Sequence, residues 1–338
     1  MDLILAPDCM LCIGDPVAEF RLMLLTDISE LKKHWDLTTT PILHRNVANF
    51  VYFAKMGDRE VVLRLTPLSQ RTAEEIQAEL EWMDEVHKYQ ILTPQIIRSN
   101  QSALFETVVI DNQIFHCVVM EKIDGIRTER DTLDEKIILI WSECLARLHL
   151  NAKKYSAGAG RAEWNGDSTF ELCMTVFPNT LESTQILFTE LCEFLKVYPK
   201  DNYGLIHGDL HEGNFFYKND RLTIFDFDDC AYHWFIYDLT VPVMSIFKTF
   251  EGDEFTVKRE HFINLFLMNY FKFVPKPKNF KSNFRKFIQY RCVLVHLWLI
   301  GIRKQRELSE RLQLAFERAI NEDLHIATHP EIFDFIEE

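Results

Sequence analysis

The sequence has no internal repeat, no low-complexity segment and no hydrophobic run long enough to cross a bilayer. Its longest apolar run, residues 293–302, is too short for a membrane-spanning helix and contains His296. The first eight residues lack a basic leader and include Pro7 and Asp8, unlike a secretion signal. We therefore expect a cytoplasmic protein with no membrane partner.

Positive charge is also scarce. The 37 Lys and Arg stand against 51 Asp and Glu, which gives a formal net charge of −14. Proteins that bind nucleic acid usually present a basic face, so we expect no nucleic-acid partner. The charge is compatible with a cationic substrate, although a solvated acidic surface explains it more simply.

The cysteines do not form a complete metal-ligand pattern. Cys9 and Cys12 make one C-x-x-C, but no second pair and no H-x-x-x-H follows. Two ordinary thiols are the favoured interpretation, with a zinc or redox site as the alternative. Eight dispersed cysteines in a chain of 338 residues are typical of a reducing compartment.

Strand and helix patterns divide the chain unevenly. Alternating β-branched and aromatic residues predict strands in the first third, and a helical period dominates after residue 131. Thr72 and Glu75 resemble a capping box. The predicted strands are 49–55, 60–65, 103–110 and 114–120, and the predicted helices are 28–35, 72–89, 133–150, 183–197, 238–250, 260–273 and 283–309. We expect an α+β fold of two unequal parts with a hinge at 121–125, and residues 1–25 stay unassigned.

Residues 207–229 carry the strongest chemical signal. Asp209 lies in a glycine-bearing loop, Asn214 follows before a short strand, and Asp226 ends a second strand after a tight turn. A hairpin brings its two ends together, so these three side chains should converge. Mg²⁺ prefers oxygen ligands, which Asn214 and Asp226 offer. A positioned carboxylate can also orient a hydroxyl and accept its proton, which fits Asp209.

The sequence of this segment resembles the motifs of a known family. His207-Gly208-Asp209 followed by Asn214 has the spacing of the protein-kinase catalytic loop, and Asp226-Phe227-Asp228 stands where D-F-G would be. The run H-G-D-L-H-x-G-N…D-F-D-D resembles the aminoglycoside phosphotransferase/choline kinase-like superfamily. Within it, the resemblance is to the branch that holds the bacterial stress-response Ser/Thr kinase, homoserine kinase type II and hydroxylysine kinase.

This resemblance implies a bilobal protein-kinase-like fold that binds ATP and Mg²⁺ between its lobes. A small lobe with an antiparallel sheet would span residues 1–121, and a larger helical lobe with the acceptor site would span 122–338. Asp209 would be the catalytic base, and Asn214 and Asp226 would hold the metal, with Asp228 as a further contact. Three residues would support the loop, by bracing it, contacting substrate or capping a helix beneath it: His207, His211 and Asp238.

The resemblance also implies a nucleotide site in the first third. Arg64 would replace the strand lysine that contacts phosphates, with Glu79 as its ion-pair partner. Residues 45–49 would cover the phosphates, with Asn49 the best match, although this loop contains no glycine. Backbone groups of the hinge, including those of Glu121 and Ile123, would contact adenine.

Two departures from protein kinases favour a small-molecule acceptor. Gly208 replaces the arginine of H-R-D, and no long activation loop follows Asp229. We therefore expect transfer of the γ-phosphate of ATP to a hydroxyl of an amino alcohol, hydroxy amino acid, sugar or aminoglycoside. The alternatives are a Ser/Thr protein kinase of the stress-response type and a nucleotide-binding pseudokinase. Residues 161–164 and 290–291 would lie near the acceptor, whereas Arg147 and His149 are interpreted as helix-end charges.

Overall fold

An antiparallel sheet of five strands forms the first part of the molecule. The computed structural model describes residues 28–46, 49–155, 160–305 and 310–338, so residues 1–25 with Cys9 and Cys12 lie outside it. The strands are β1 (Ile42–Asn46), β2 (Phe50–Met56), β3 (Arg59–Pro67), β4 (Glu106–Ile110) and β5 (Gln113–Glu121). Their order is β1-β2-β3-β5-β4, and every neighbouring pair is antiparallel.

Tight turns set the register of this sheet. Gly57 has a φ of +62°, and the turn between β4 and β5 places Asp111 and Asn112 at φ values of +52° and +62°. Two consecutive positive φ values are typical of the two-residue turns whose twist matches that of a hairpin. The four strands predicted for this part of the chain are all present as β2 to β5, and β4 is shorter than predicted.

Strand β1 was not predicted. It pairs with β2 from Ile42↔Phe53 to Asn46↔Phe50, so Arg45 belongs to a strand rather than to a loop at 45–49. Val47 and Ala48, in the middle of that predicted loop, lie outside the described residues. The sequence of β1, ILHRN, carries too little apolar alternation for a strand to be predicted from it.

One long helix follows the sheet strands β1 to β3. Helix α1 spans Ala73–Lys88, and Thr72 and Glu75 form the predicted capping box. Its apolar face buries Ile76, Leu80 and Met83. By contrast, the predicted helix at 28–35 is a 3-10 helix of six residues, Ile28–Lys33.

The rest of the described chain is mainly helical. Its helices are α2 (Glu135–Ala152), α3 (Ser168–Val176), α4 (Glu182–Val197), α5 (Phe235–Asp238), α6 (Thr240–Thr249), α7 (Thr256–Tyr270), α8 (Phe280–Gln305) and α9 (Glu310–Thr328). Short strands lie between them: β6 (Ile126–Arg127), β7 (Tyr203–Leu205), β8 (Phe215–Lys218), β9 (Arg221–Ile224) and β10 (Tyr232–Trp234). They form a sheet β6-β8-β9 and a pair β7-β10.

Most predicted helices are confirmed, and two are new. Helix α3, capped by Asp167, and helix α9 were not predicted. The predicted helix at 238–250 corresponds to α6, and the short helix α5 precedes it. No helix among the described residues is long and apolar enough to span a membrane.

The described residues form three hydrophobic clusters, of which the smallest joins α8 to α9 and the other two organise the main parts of the molecule. The smaller of these two cores lies on one side of the five-stranded sheet and includes Trp35, Leu63 and Phe115. The larger core unites the helical region with helix α1, through residues such as Trp82 and Trp141. Burial of each large side chain contributes about 1.5–3 kcal/mol. Helix α1 is thereby fixed between the sheet and the helices, which positions Glu79.

Candidate active site

The hairpin of β8 and β9 places the predicted metal-binding residues side by side. The strands pair from Phe215↔Ile224 to Lys218↔Arg221. At the open end of the hairpin, the Phe225 amide donates to the Asn214 carbonyl at 3.0 Å. Asn214 and Asp226 are therefore neighbours, as the sequence predicted.

Asp226 has an unusual backbone conformation. Its φ and ψ are +66° and +60°, in the left-handed region that non-glycine residues rarely adopt. Such strain is often found at functional sites. Desolvation within the cleft, followed by repulsion from Asp228, raises the pKa of Asp226 to about 6. The carboxylate lines a cavity, where a cation would relieve this repulsion.

Asp209 lies within hydrogen-bond distance of Asn214. The amide nitrogen Nδ2 of Asn214 donates to the Asp209 carbonyl at 2.8 Å and to its Oδ2 at 3.3 Å. Nη2 of Arg291 lies 3.4 Å from Oδ1 of Asp209. Burial raises the pKa of Asp209 well above its ordinary value, Arg291 partly opposes this, and Asp229 adds to it. The side chain keeps 16% of its surface exposed, so a ligand can reach it.

The carboxylate of Asp238 anchors the backbone of the loop that carries Asp209. Asp238 is fully buried, and its carboxylate accepts the backbone amides of His207 at 3.1 Å and Gly208 at 3.0 Å. His149 Nε2 lies 3.0 Å from Asp238 Oδ2. Although burial alone would raise the pKa of Asp238, the hydrogen bond and charge of His149 hold it below its ordinary value.

These contacts correct two predictions. Asp238 ends helix α5 instead of capping a helix, because its oxygens are bound to the loop amides. His149 is fully buried and stacks on Phe235 with ring centroids 4.4 Å apart. It supports Asp238 and is not a helix-end charge; of the predicted pair, only Arg147 is a surface residue, ion-paired with Glu143.

The two histidines of the loop both have backbone partners. His207 Nε2 lies 3.1 Å from the Phe225 carbonyl, and its Nδ1 accepts the Asp209 amide at 3.3 Å. His211 Nδ1 accepts the Gly213 amide at 2.9 Å, and its Nε2 lies 3.7 Å from Asp209 Oδ2. Burial lowers the pKa of His207 to about 4 and that of His211 well below its ordinary value. Both rings are therefore neutral at pH 7.

The predicted ion pair in the first third is present. Arg64 on β3 donates from Nη1 and Nη2 to the two oxygens of Glu79, each at 2.7 Å. Both residues are buried, and Arg161 Nη2 approaches Glu79 Oε2 at 3.5 Å. A bidentate pair of this kind fixes the guanidinium in direction as well as in place. Burial disfavours the charge on Arg64, but the Glu79 carboxylate outweighs this and raises its pKa.

A cavity of about 270 Å³ lies between this ion pair and the β8–β9 hairpin. All five residues predicted for the nucleotide line it: Asn49, Arg64, Glu79, Glu121 and Ile123. Its apolar walls include Val62, Met120 and Phe216. Oδ1 of Asn49 is buried and has no hydrogen-bond partner within the described chain, so a ligand could supply one.

The hinge amides are partly occupied. The Glu121 amide donates to the Gln95 carbonyl at 2.9 Å, and the Lys122 amide donates to the Glu60 carbonyl at 3.3 Å. These two amides already have partners, and the adenine contact through backbone groups of the hinge stays a prediction. Glu121 and Ile123 both line the cavity.

Asp228 faces away from that cavity, toward Arg71. Nε of Arg71 donates to Asp228 Oδ1 at 3.0 Å, and Nη2 reaches Asp229 Oδ1 at 3.2 Å. Arg71 was not predicted from the sequence, because 157 positions separate it from Asp228 and no motif surrounds it. Arg71, Asp228 and Asp229 line a second, smaller cavity of about 50 Å³ together with Arg161 and Arg291. Arg161, Trp164 and Arg291, from the segments 161–164 and 290–291, line this cavity, and their place near the acceptor stays a prediction.

The oxygen atoms near the loop suit a cation with few protein ligands. In the four described ranges, no three residues of the types His, Cys, Asp and Glu are arranged to hold a metal ion alone. Since Asn214 directs its amide nitrogen to Asp209, its Oδ1 could serve as a ligand together with the carboxylate of Asp226. Two oxygen ligands, with the rest from phosphate and water, are typical of Mg²⁺.

Comparison with known proteins agrees with this geometry. Residues 39–262 match the phosphotransferase enzyme family. The chain belongs to this family. The predicted superfamily is thereby confirmed. Among curated phosphotransferases, the amicoumacin kinase of Bacillus subtilis (strain 168) is 26% identical over 232 residues, which are 66% of this chain and 69% of that protein.

Solved structures of other phosphotransferases share the fold. Amicoumacin kinase hAmiN, in complex with AMP-PNP, Ca²⁺ and Ami, has a TM-score of 0.75 at 22% identity, over 89% of this chain and 94% of that one. A microcompartment-associated aminopropanol kinase has a TM-score of 0.70 at 19% identity, over 92% of this chain and 98% of that one. The predicted α+β kinase-like fold is confirmed.

Proposed function

We propose that this protein transfers the γ-phosphate of ATP to a hydroxyl group of a small molecule, with Mg²⁺ as the metal. The observation that carries the proposal is the contact of Asn214 Nδ2 with the carboxylate oxygen Oδ2 of Asp209 at 3.3 Å, together with Asp226 in the lining of the 270 Å³ cavity. A carboxylate that orients a hydroxyl then lies next to oxygens that hold a metal. Membership of the phosphotransferase enzyme family supports this.

The nucleotide would occupy the 270 Å³ cavity. Arg64, directed by Glu79, would contact phosphate oxygens, and the unpartnered Oδ1 of Asn49 would meet a donor. The apolar walls would hold the base. Glu121 and Lys122 both line this cavity, which supports a lobe of residues 1–121 that would serve the nucleotide and a lobe of residues 122–338 that would serve the catalytic loop and the acceptor.

Asn214 and Asp226 would bind the cation, which when bound neutralises phosphate charge. Asp228 is engaged by Arg71 at 3.0 Å, so it would support the site through that arginine rather than bind metal itself. Asp209 would take the proton of the acceptor hydroxyl, and its raised pKa suits a group that must gain a proton during the reaction. Neutral His207 and His211 would keep the loop in shape.

The acceptor would enter beside the 50 Å³ cavity, on the side of Asp209 where Arg161 and Arg291 lie. The relatives named for amicoumacin and aminopropanol support a small hydroxyl-bearing acceptor. The six described cysteines are free thiols, which supports a location in the reducing cytoplasm.

The test is ATP consumption with a panel of amino alcohols, hydroxy amino acids, sugars and aminoglycosides. Wild-type protein should consume ATP with at least one acceptor and yield a phosphorylated product by mass spectrometry. Asp209→Asn should lower kcat by about 10²- to 10⁴-fold while ATP still binds. Asp58→Asn, at an exposed turn, is the matched control. Phosphate transfer to protein alone, with no phosphorylated small molecule, would contradict the proposal, as would full activity of Asp209→Asn.

A further inference from the structure

Two arginines face the nucleotide cavity from opposite walls. Arg45 lies on β1 and pairs with Val51 of β2, so it belongs to the five-stranded sheet. Arg127 lies on β6 and pairs with Phe216 of β8, the strand that follows Asn214. Both line the 270 Å³ cavity. The two guanidinium groups therefore belong to different structural units, and any ligand between them would connect those units.

Arg127 has fewer hydrogen-bond partners than a charged side chain in its position needs. Its Nη2 donates to the Gly213 carbonyl at 3.3 Å, and its buried Nε has no partner within the described chain. Glu129 and Glu212 attract it, but neither forms an ion pair with it among the described residues. A partly buried guanidinium without a carboxylate partner is unfavourable unless a ligand compensates for it.

The electrostatics of the free protein point the same way. Burial lowers the pKa of Arg127, and the nearby charge of Arg45 lowers it further. Burial also lowers the pKa of Arg45, and Asp226 opposes this. Two guanidinium groups that repel each other across a cavity suit an anion with several charged oxygens, which both can contact.

The sequence of residues 45–49 gives a further argument for side-chain contacts with phosphate. Glycine-rich loops bind phosphate through backbone amides that point at the ligand. Residues 45–49, Arg-Asn-Val-Ala-Asn, contain no glycine. Charged side chains on the cavity wall, such as those of Arg45 and Arg127, are suited to that role.

We propose that Arg45 and Arg127 clamp the polyphosphate of the nucleotide from opposite sides of the cleft. The inference rests on the proposed function, because it assigns the phosphate-binding groups of the same site. The clamp ties the sheet to the catalytic hairpin only when phosphate is present. It therefore favours nucleotides with a polyphosphate over adenosine.

The test is isothermal titration of ATP with Mg²⁺, inorganic tripolyphosphate and adenosine. Arg127→Gln and Arg45→Gln should each weaken ATP and tripolyphosphate binding about tenfold or more and leave adenosine binding unchanged. Arg127→Lys should restore part of the loss because it keeps the charge. Arg98→Gln is the matched control, since Arg98 also donates to one backbone carbonyl, that of Ser102 at 3.1 Å, but does not line the cavity.

Thermal unfolding without nucleotide separates binding from folding. Arg127→Gln should unfold at the same or a higher temperature than wild type, because an uncompensated charge is removed. Equal weakening of ATP and adenosine, or unchanged ATP binding in both variants, would overturn the clamp while leaving the proposed function intact. Wild-type protein that binds neither ATP nor adenosine would overturn both.

Discussion

The carboxylates on the two sides of the catalytic loop, residues 207–214, lie in opposite electrostatic environments. The buried side, called below, holds Asp238, and the cavity side, called above, holds Asp226 and the side chain of Asp209. Below it, Asp238 accepts two backbone amides and faces His149, and the pKa of its carboxyl is lowered. Above it, Asp209 and Asp226 lie beside other carboxylates, and their pKa values are raised. The carboxylate of Asp238 therefore has its hydrogen bonds satisfied, whereas the nearby carboxylates of Asp209 and Asp226 are repelled by their neighbours.

This difference distinguishes structural charge from functional charge. A buried carboxylate with full hydrogen bonding stabilises the fold and leaves nothing for a ligand. Carboxylates that repel each other at a cavity are costly alone and become favourable when a cation binds. Substitutions below the loop should therefore lower stability, whereas substitutions above it should lower activity.

The largest expected effect follows from Asp226→Asn. Asparagine tolerates the left-handed backbone at φ +66°, so the fold should persist. Loss of one metal-binding charge should lower kcat by about a thousandfold or more. Steady-state kinetics measure kcat, and thermal unfolding should show unchanged or raised stability of the protein without metal. Lower stability of Asp226→Asn would contradict this distinction, because Asp226 would then stabilise the fold as Asp238 does.

Asp238→Ala should have the opposite signature. It leaves two backbone amides and His149 without their acceptor, and breaking a buried pair of this kind costs about 3–5 kcal/mol. Urea denaturation measures the free energy of unfolding, with Asp58→Ala at an exposed turn as the control. A loss below about 1 kcal/mol would mean that the loop does not depend on this brace.

The sequence predicted what is local in the site. Asp209, Asn214 and Asp226 lie within 18 positions, and a tight hairpin with few alternatives brings them together. The ion pair of Arg64 and Glu79 was predicted from the family resemblance, which assigned Arg64 on a strand and Glu79 on the next helix to these roles. The sequence therefore sufficed for the catalytic loop and for one wall of the cavity.

Long-range partners could not be predicted in the same way. Arg71 meets Asp228 across 157 positions, and His149 meets Asp238 across 89. No spacing rule connects such residues, because their contact depends on how helices α1 and α2 pack. His149 resembles an ordinary helix-end charge in the sequence, and only its burial shows its role.

A smaller effect is expected from Gly208→Ala. Gly208 has a φ of +86°, and an added Cβ would lie 2.4 Å from the Asp229 carbonyl oxygen. The strain should lower stability by about 1–3 kcal/mol and displace Asp209, so kcat should also fall. Gly166→Ala, whose Cβ would meet no atom closer than 3.8 Å, is the control for differential scanning calorimetry and kinetics. Equal effects of both substitutions would argue against a constrained loop.

The mildest test changes only the pH. Because the pKa of Asp226 is raised to about 6, this carboxyl keeps its proton to a higher pH than an ordinary aspartate. Protonation removes a metal-binding charge, so kcat/KM should be constant above this value and about tenfold lower one pH unit below it.

The raised pKa of Asp209 acts in the same direction, and metal concentration separates the two groups. A bound cation favours ionised Asp226, so added Mg²⁺ should move its acid limb to lower pH. A limb that belongs to Asp209 should respond much less, because that residue would contact the acceptor and not the metal. An acid limb unaffected by Mg²⁺ would therefore assign the titration to Asp209 and remove Asp226 from the pH response.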